Sequence, residues 1–211
     1  MRNLYRILCF GDSNTWGYIS ESGERFPENI RWTGRLSGLL GDDFRILEEG
    51  LNGRTTGFDE GARPWRNGEH YIVPCLMSQS PLDLMILMLG TNDTKRRFHA
   101  STWEIADSME NLLHEALNCL YWKGSKTKIL LAAPPHMTEA AIQDPEMDLE
   151  SVEKSRRLGA AYGALAQKLS LPFLDAGGFP LSLQADGCHL SREGHAQLAE
   201  VMAQKVRELL P

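Results

Sequence analysis

The stretch Leu84-Met85-Ile86-Leu87-Met88-Leu89-Gly90-Thr91-Asn92-Asp93 decides the fold class. Six apolar residues run without alternation and stop at a glycine and a polar turn. A strand with one wet face alternates, whereas a strand covered on both faces does not, so this run reads as a parallel strand sandwiched between helices. Shorter apolar runs at 7–10, 44–47, 129–133 and 173–174 supply four more strands of the same kind.

Helical periodicity fills the intervals. Leu158, Ala161, Tyr162, Leu165, Ala166 and Leu169 form a stripe at three- and four-residue spacing, with Ser151 as the expected N-cap. Ile105, Met109, Leu112, Leu113, Ala116, Leu117 and Leu120 form another, opened by Ser101 and Glu104 at capping-box spacing. The last helix begins near Ser191, and a shorter one over 31–40 ends at Gly41, where a missing Cβ suits a left-handed C-terminal position. Strands alternating with helices through right-handed crossovers give a three-layer α/β/α sandwich on a five-stranded parallel sheet. Ligands of such sheets bind beyond the carboxyl ends of the strands. The stretches 57–81 and 134–150 read as long irregular walls of a site there.

The chain of 211 residues, 42% hydrophobic and 24% charged, fits a single α/β domain over residues 1–211. A net charge of -6 with no dense basic block gives no footprint for nucleic acid or for an anionic membrane surface. Only a few apolar residues precede Gly11 and Asp12, too few for a signal peptide or a span, so a cytoplasmic protein is expected. Cys9, Cys75, Cys119 and Cys188 are scattered without a C-x-x-C pair, which suggests reduced thiols and no zinc site.

Four short segments could carry chemistry. Gly11-Asp12-Ser13-Asn14 follows the first strand, so Ser13 sits on a sharp turn, as a nucleophile or as a plain cap. A serine hydroxyl needs a base, and the base needs a carboxylate to fix its tautomer. Asp186-Gly187-Cys188-His189 offers both three residues apart, just before the last helix. Asn92 follows the most apolar strand, where its amide could meet an oxyanion or close an Asx turn. Gly53, in Leu51-Asn52-Gly53-Arg54-Thr55, permits the close backbone approach that an oxyanion-binding N–H requires, or serves as a turn glycine.

Together, and in this order, the segments resemble the SGNH (GDSL) hydrolase family, over nearly the whole chain. FGDSNTWG, RWTG, EEGLNGRTT, PLDLMILMLGTNDTK and DGCHLS are most similar to its small arylesterase and acyltransferase branch. The resemblance implies a flavodoxin-like sheet, no cofactor and a small-molecule ester as substrate. It makes Ser13 the nucleophile, His189 the base and Asp186 its acid, with the Ser13 and Gly53 N–H groups and the Asn92 amide as oxyanion donors. It implies hydrolysis of short acyl esters through an acyl-enzyme, acyl transfer to alcohols, and a homo-oligomer. Asn14 departs from the leucine that many members carry, which bears on the polarity of the pocket.

Other residues have looser assignments. Trp16 could line the acyl pocket or pack in the core, and Asp175 competes with Asp186 as the triad acid. Arg54 and Lys95 could touch a polar substrate, or be loop charges paired with Glu48, Glu49 or Asp93. Trp65, Tyr71 and Phe98 could wall the site or meet another subunit. A carbohydrate acetylesterase would use the same triad. An FMN-binding redox protein of flavodoxin type is the alternative from another class, but Trp16 stands where a glycine-rich phosphate loop belongs and the Asp186–His189 segment would have no task.

Overall fold

The computed structural model describes residues 4–122 and 124–210. Its five strands, β1 (Tyr5–Gly11), β2 (Phe44–Gly50), β3 (Leu84–Met88), β4 (Lys128–Ala133) and β5 (Phe173–Asp175), form one sheet in the order β2-β1-β3-β4-β5. Every pairing is parallel. Register explains the unbroken apolar runs. In β3, Met85 and Leu87 enter a core with α3 (Gly68–Gln79), α4 (Thr102–Trp122) and α5 (Leu149–Leu169), while Leu84, Ile86 and Met88 enter the opposite core. That second core is built on α2 (Trp32–Leu40) and α6 (Arg192–Leu209). Alternate side chains thus leave water on opposite faces, and the chain is the three-layer α/β/α sandwich expected.

Two helix boundaries correct the sequence reading. Asp148, not Ser151, caps α5: its carboxylate accepts the Ser151 N–H at 2.8 Å, and Ser151 closes the reciprocal half of the box. Aspartate wins because a charged acceptor suits the electropositive first turn. The stretch 57–81 is irregular only in its first part, because α3 occupies Gly68–Gln79. Asn67 caps it by accepting the His70 N–H at 3.2 Å, and Ile72, Cys75 and Leu76 are its buried face. Pro74 lies inside this helix, which is what disguised it in the sequence. Ser101–Glu104 does form its capping box, and Ser191 caps α6. Gly41 follows α2 at φ 85, but its ψ of -172 is not the left-handed helical value. Among the described residues, no helix is long and apolar enough to cross a membrane.

Candidate active site

Strand β1 ends at Gly11, and α1 (Ser13–Trp16) begins two residues later. Asp12 caps this single turn through the Asn14 N–H at 2.9 Å, and Gly17 ends it in the left-handed conformation. Ser13, first residue of the turn, has an N–H with no intrahelical acceptor, as any such position does. Its Oγ lies 2.9 Å from His189 Nε2, and His189 Nδ1 lies 2.5 Å from Asp186 Oδ2. The other Asp186 oxygen accepts the Cys188 and His189 N–H groups, each at 3.0 Å. Burial pushes the Asp186 carboxyl upward, but the His189 hydrogen bond and charge, with the two amides, hold it below its ordinary value. An ionised Asp186 fixes the imidazole tautomer and leaves Nε2 toward the serine.

Asp175 does not reach this group. It caps the short turn Ala176–Gly178 by accepting the Gly177 N–H at 3.0 Å.

Gly53 and Asn92 line the same cavity of about 340 Å³ as Ser13 and His189. Gly53 has a φ of 79, a conformation that glycine adopts without steric cost. Asn92 opens the turn Asn92–Thr94 beyond β3, and its Nδ2 donates to the Arg54 carbonyl at 3.1 Å. Arg54 is not a solvated charge and does not line the cavity. Only 3% exposed, it donates through Nη1 to the Gly11 carbonyl at 3.0 Å and to the Glu49 carbonyl, and lies 4.1 Å from the Phe10 ring centroid. A buried cation therefore ties the ends of β1 and β2 together beneath the Gly53 turn. Burial lowers its pKa, and Glu49 is the strongest influence in the other direction.

Trp16 is absent from the cavity lining; Arg25 lies over its ring at 5.4 Å. Tyr18 takes the place expected of it, lining the cavity with its ring centroid 4.8 Å from that of His189. Sequence reasoning missed Tyr18, and missed Arg66 and Asp144 as further lining residues. Lys95 also lines the cavity and pairs with Glu146 at 3.1 Å rather than with Glu48, Glu49 or Asp93. Trp65, Tyr71 and Phe98 do not line it; Tyr71 stacks on Phe10 and Phe98 packs on Phe58, while Trp65 is exposed. A larger groove of about 560 Å³ between α4 and α5 includes none of Ser13, His189 and Asp186, and no histidine or cysteine is among its described lining residues.

Residues 9–197 match the model of the GDSL-like lipase/acylhydrolase family. The chain belongs to this family. Among solved structures it is similar to a carbohydrate acetylesterase from Sinorhizobium meliloti, with 40% identity, a TM-score of 0.90, and 98% of this chain and 100% of that one covered. It is equally similar to the aryl esterase of M. smegmatis, with 40% identity, a TM-score of 0.89 and the same coverage. No protein of curated function matches the chain.

Proposed function

We propose that this GDSL-family chain is a serine carboxylic-ester hydrolase acting on short acyl esters, acetyl and aryl esters first. The continuous contact from Ser13 Oγ through the His189 ring to Asp186 supports this reading most directly. His189 Nε2 accepts the serine proton as Oγ attacks the ester carbonyl, and Asp186 stabilises the imidazolium. The oxyanion is met by the Ser13 and Gly53 N–H groups and by Asn92 Nδ2, whose second hydrogen is not needed by Arg54. His189 returns the proton to the leaving alkoxide or phenoxide. Water then attacks the acyl-enzyme with the same base. The chemistry needs no cofactor.

Labelling with an aryl organophosphate followed by mass mapping tests the assignment. Modification of the peptide bearing Ser13, with loss of phenyl acetate hydrolysis in proportion, is the expected result; full labelling elsewhere, or none, removes it.

Two finer readings belong to the same proposal. An alcohol can intercept the acyl-enzyme where the site orients it better than water, so benzyl acetate should form when an activated acetate and dilute benzyl alcohol are supplied. Acetate as sole product would leave a plain esterase. Assembly between copies is supported by the exposed Trp65, 60% accessible; light scattering at a monomer mass would overturn it. Acetylated sugars are the second substrate class, favoured by the polar side chains Arg66, Lys95 and Asp144 on the cavity wall and by the 40% identity to a carbohydrate acetylesterase. A panel of aryl acetates and acetylated sugars ranks the two.

A further inference from the structure

Arg66 and Lys95 line the cavity that holds Ser13, Gly53 and Asn92, yet ester cleavage as described uses neither. The Arg66 guanidinium sits on the oxyanion glycine: a Cβ at Gly53 would lie 2.5 Å from Arg66 Cζ. Glu60, with a side chain only 3% exposed, holds Arg66 through Nη1 at 2.5 Å. Among the described residues, Arg66 Nε and Nη2 have no acceptor. The same Glu60 carboxylate also takes Arg63 at 3.2 Å and Arg97 at 2.8 Å. Glu146 pairs with both Arg97 and Lys95.

Four cations therefore share two carboxylates, and the cavity lining adds two more acids, Asp144, which is exposed, and Asp186, which is already engaged by His189. Setting aside Asp186, which pairs with His189, the four cations outnumber the three carboxylates of Glu60, Glu146 and Asp144 on this wall, in a chain of net charge -6. The Lys95 side chain is 11% exposed, and burial pulls its pKa down against the opposing pull of Glu60 and Asp144. A cation in that position gains from an incoming anion. A guanidinium with two unoccupied donor nitrogens offers the fork that matches a carboxylate, and Lys95 adds a point charge. Because Glu60 already fixes Arg66, little rotamer freedom remains to be lost on binding.

We propose that Arg66 and Lys95 form an anion-recognition subsite that selects esters bearing a carboxylate on their alcohol or acyl part. The inference rests on the ester-hydrolase reading of the same cavity.

The test compares kcat/KM for isosteric pairs at low ionic strength. On the alcohol side the pair is phenyl acetate with a para carboxylate against its para carboxamide. On the acyl side it is the phenyl half-ester of adipic acid against its terminal amide. In one of the two pairs, the wild-type protein should favour the carboxylate by about tenfold, as a charge-assisted hydrogen bond allows. Arg66→Gln should remove most of that preference and Lys95→Met a smaller part, while added salt should erode it in the wild type. The pair that responds identifies which side of the ester carries the anion. The salt titration needs no variant, so a poorly folding Arg66→Gln leaves the proposal testable.

A carboxylate-to-amide ratio near one in both pairs, unmoved by salt, overturns the subsite and leaves the esterase standing. An equal loss on both members of each pair in Arg66→Gln also overturns it, and gives Arg66 a role at the oxyanion instead. Acetylated sugars outrunning both carboxylate esters would do the same in favour of hydroxyl recognition. If no ester of any kind is hydrolysed, the enzymatic reading itself fails and the subsite with it.

Discussion

The Asn14 side chain donates through Nδ2 to the Cys188 carbonyl at 3.3 Å and accepts the Leu190 N–H on Oδ1 at 2.8 Å, gripping both backbone flanks of His189. The residue after the proposed nucleophile thus sets the height of the proposed base. Asn14 is 2% exposed and outside the cavity lining, so its polarity belongs to a tether and leaves the pocket unchanged. Asn14→Leu keeps the branching at Cγ and leaves the Leu190 N–H buried without the acceptor it has now, a cost of about 1–3 kcal/mol. We expect a lower Tm and a kcat reduced by about tenfold with KM nearly constant, because the Ser13–His189 distance is no longer held. A lower Tm with kcat intact would limit Asn14 to stability.

Ser13→Ala should lower ester hydrolysis by about 10⁴-fold or more. Far-UV circular dichroism and Tm should change little, since among the described residues the hydroxyl bonds only to the His189 ring. Retention of a tenth of the activity would show another nucleophile.

Asn92→Ala should reduce kcat by about 10²- to 10³-fold, with a smaller effect on KM, as for loss of one oxyanion donor. The same substitution also removes the bond to the Arg54 carbonyl. Measuring Tm beside kcat separates the two effects, since loss of the tie to the Arg54 carbonyl lowers Tm whereas loss of an oxyanion donor lowers kcat alone. If Asn92→Ala alters KM alone, the amide binds substrate in its ground state.

Chain-length preference should follow Tyr18 and not Trp16, since only Tyr18 lines the cavity. Acetate and propionate esters should outrun octanoate in the wild type. Tyr18→Ala should shift the optimum to longer chains; Trp16→Ala, which loses packing with Arg25 and Tyr18, should lower Tm with the optimum unchanged. The reverse outcome would return the pocket wall to Trp16.

The legible parts of this site are those written locally. Ser13, Gly53 and Asn92 each follow a strand whose apolar run marks its end, and Asp186 and His189 meet through a three-residue turn. Arg66, Lys95 and Asp144 reach the cavity from segments with no periodic signal, and only closure of the chain brings them together. Tyr18 was hidden for a similar reason: it lies past the left-handed Gly17, where the backbone reverses. Helix α3 was obscured by Pro74 although Asn67 followed by Ile72, Cys75 and Leu76 marks its start and its buried face. Arg54 looked like a surface charge because burying a guanidinium costs far more than exposing it, unless carbonyls and ring faces receive it as Gly11, Glu49 and Phe10 do here.

The pH dependence of stability should turn on Asp93, one residue beyond Asn92. Asp93 is fully buried; Oδ1 accepts the Thr56 N–H at 2.8 Å and the Thr56 hydroxyl at 2.5 Å, while Oδ2 has no hydrogen-bond partner among the described residues. Burial raises its pKa from 3.8 to about 6 against the pull of the Thr56 hydrogen bonds. The folded state therefore holds this proton more tightly than the unfolded chain, and the stability it confers is full below the unfolded value, falls as pH rises and is gone above the folded one. His195 acts in the opposite sense. Burial lowers it from 6.5 to about 4, and its neutral Nδ1 accepts the Trp32 N–H at 3.2 Å; its contribution is full at neutral pH and is lost as pH falls through that interval. The two slopes oppose each other over most of one window, so in the wild type each offsets the other there. Asp93→Asn keeps the Oδ1 acceptor and removes the titration, leaving the His195 slope exposed. Relative to wild type the variant should gain up to about 3 kcal/mol at neutral pH, by the equivalence of one pKa unit to 1.36 kcal/mol, and little at pH about 4. Urea unfolding of both proteins across this range measures it. A constant difference at every pH would mean that Asp93 stays ionised and that the gain or loss comes from packing alone.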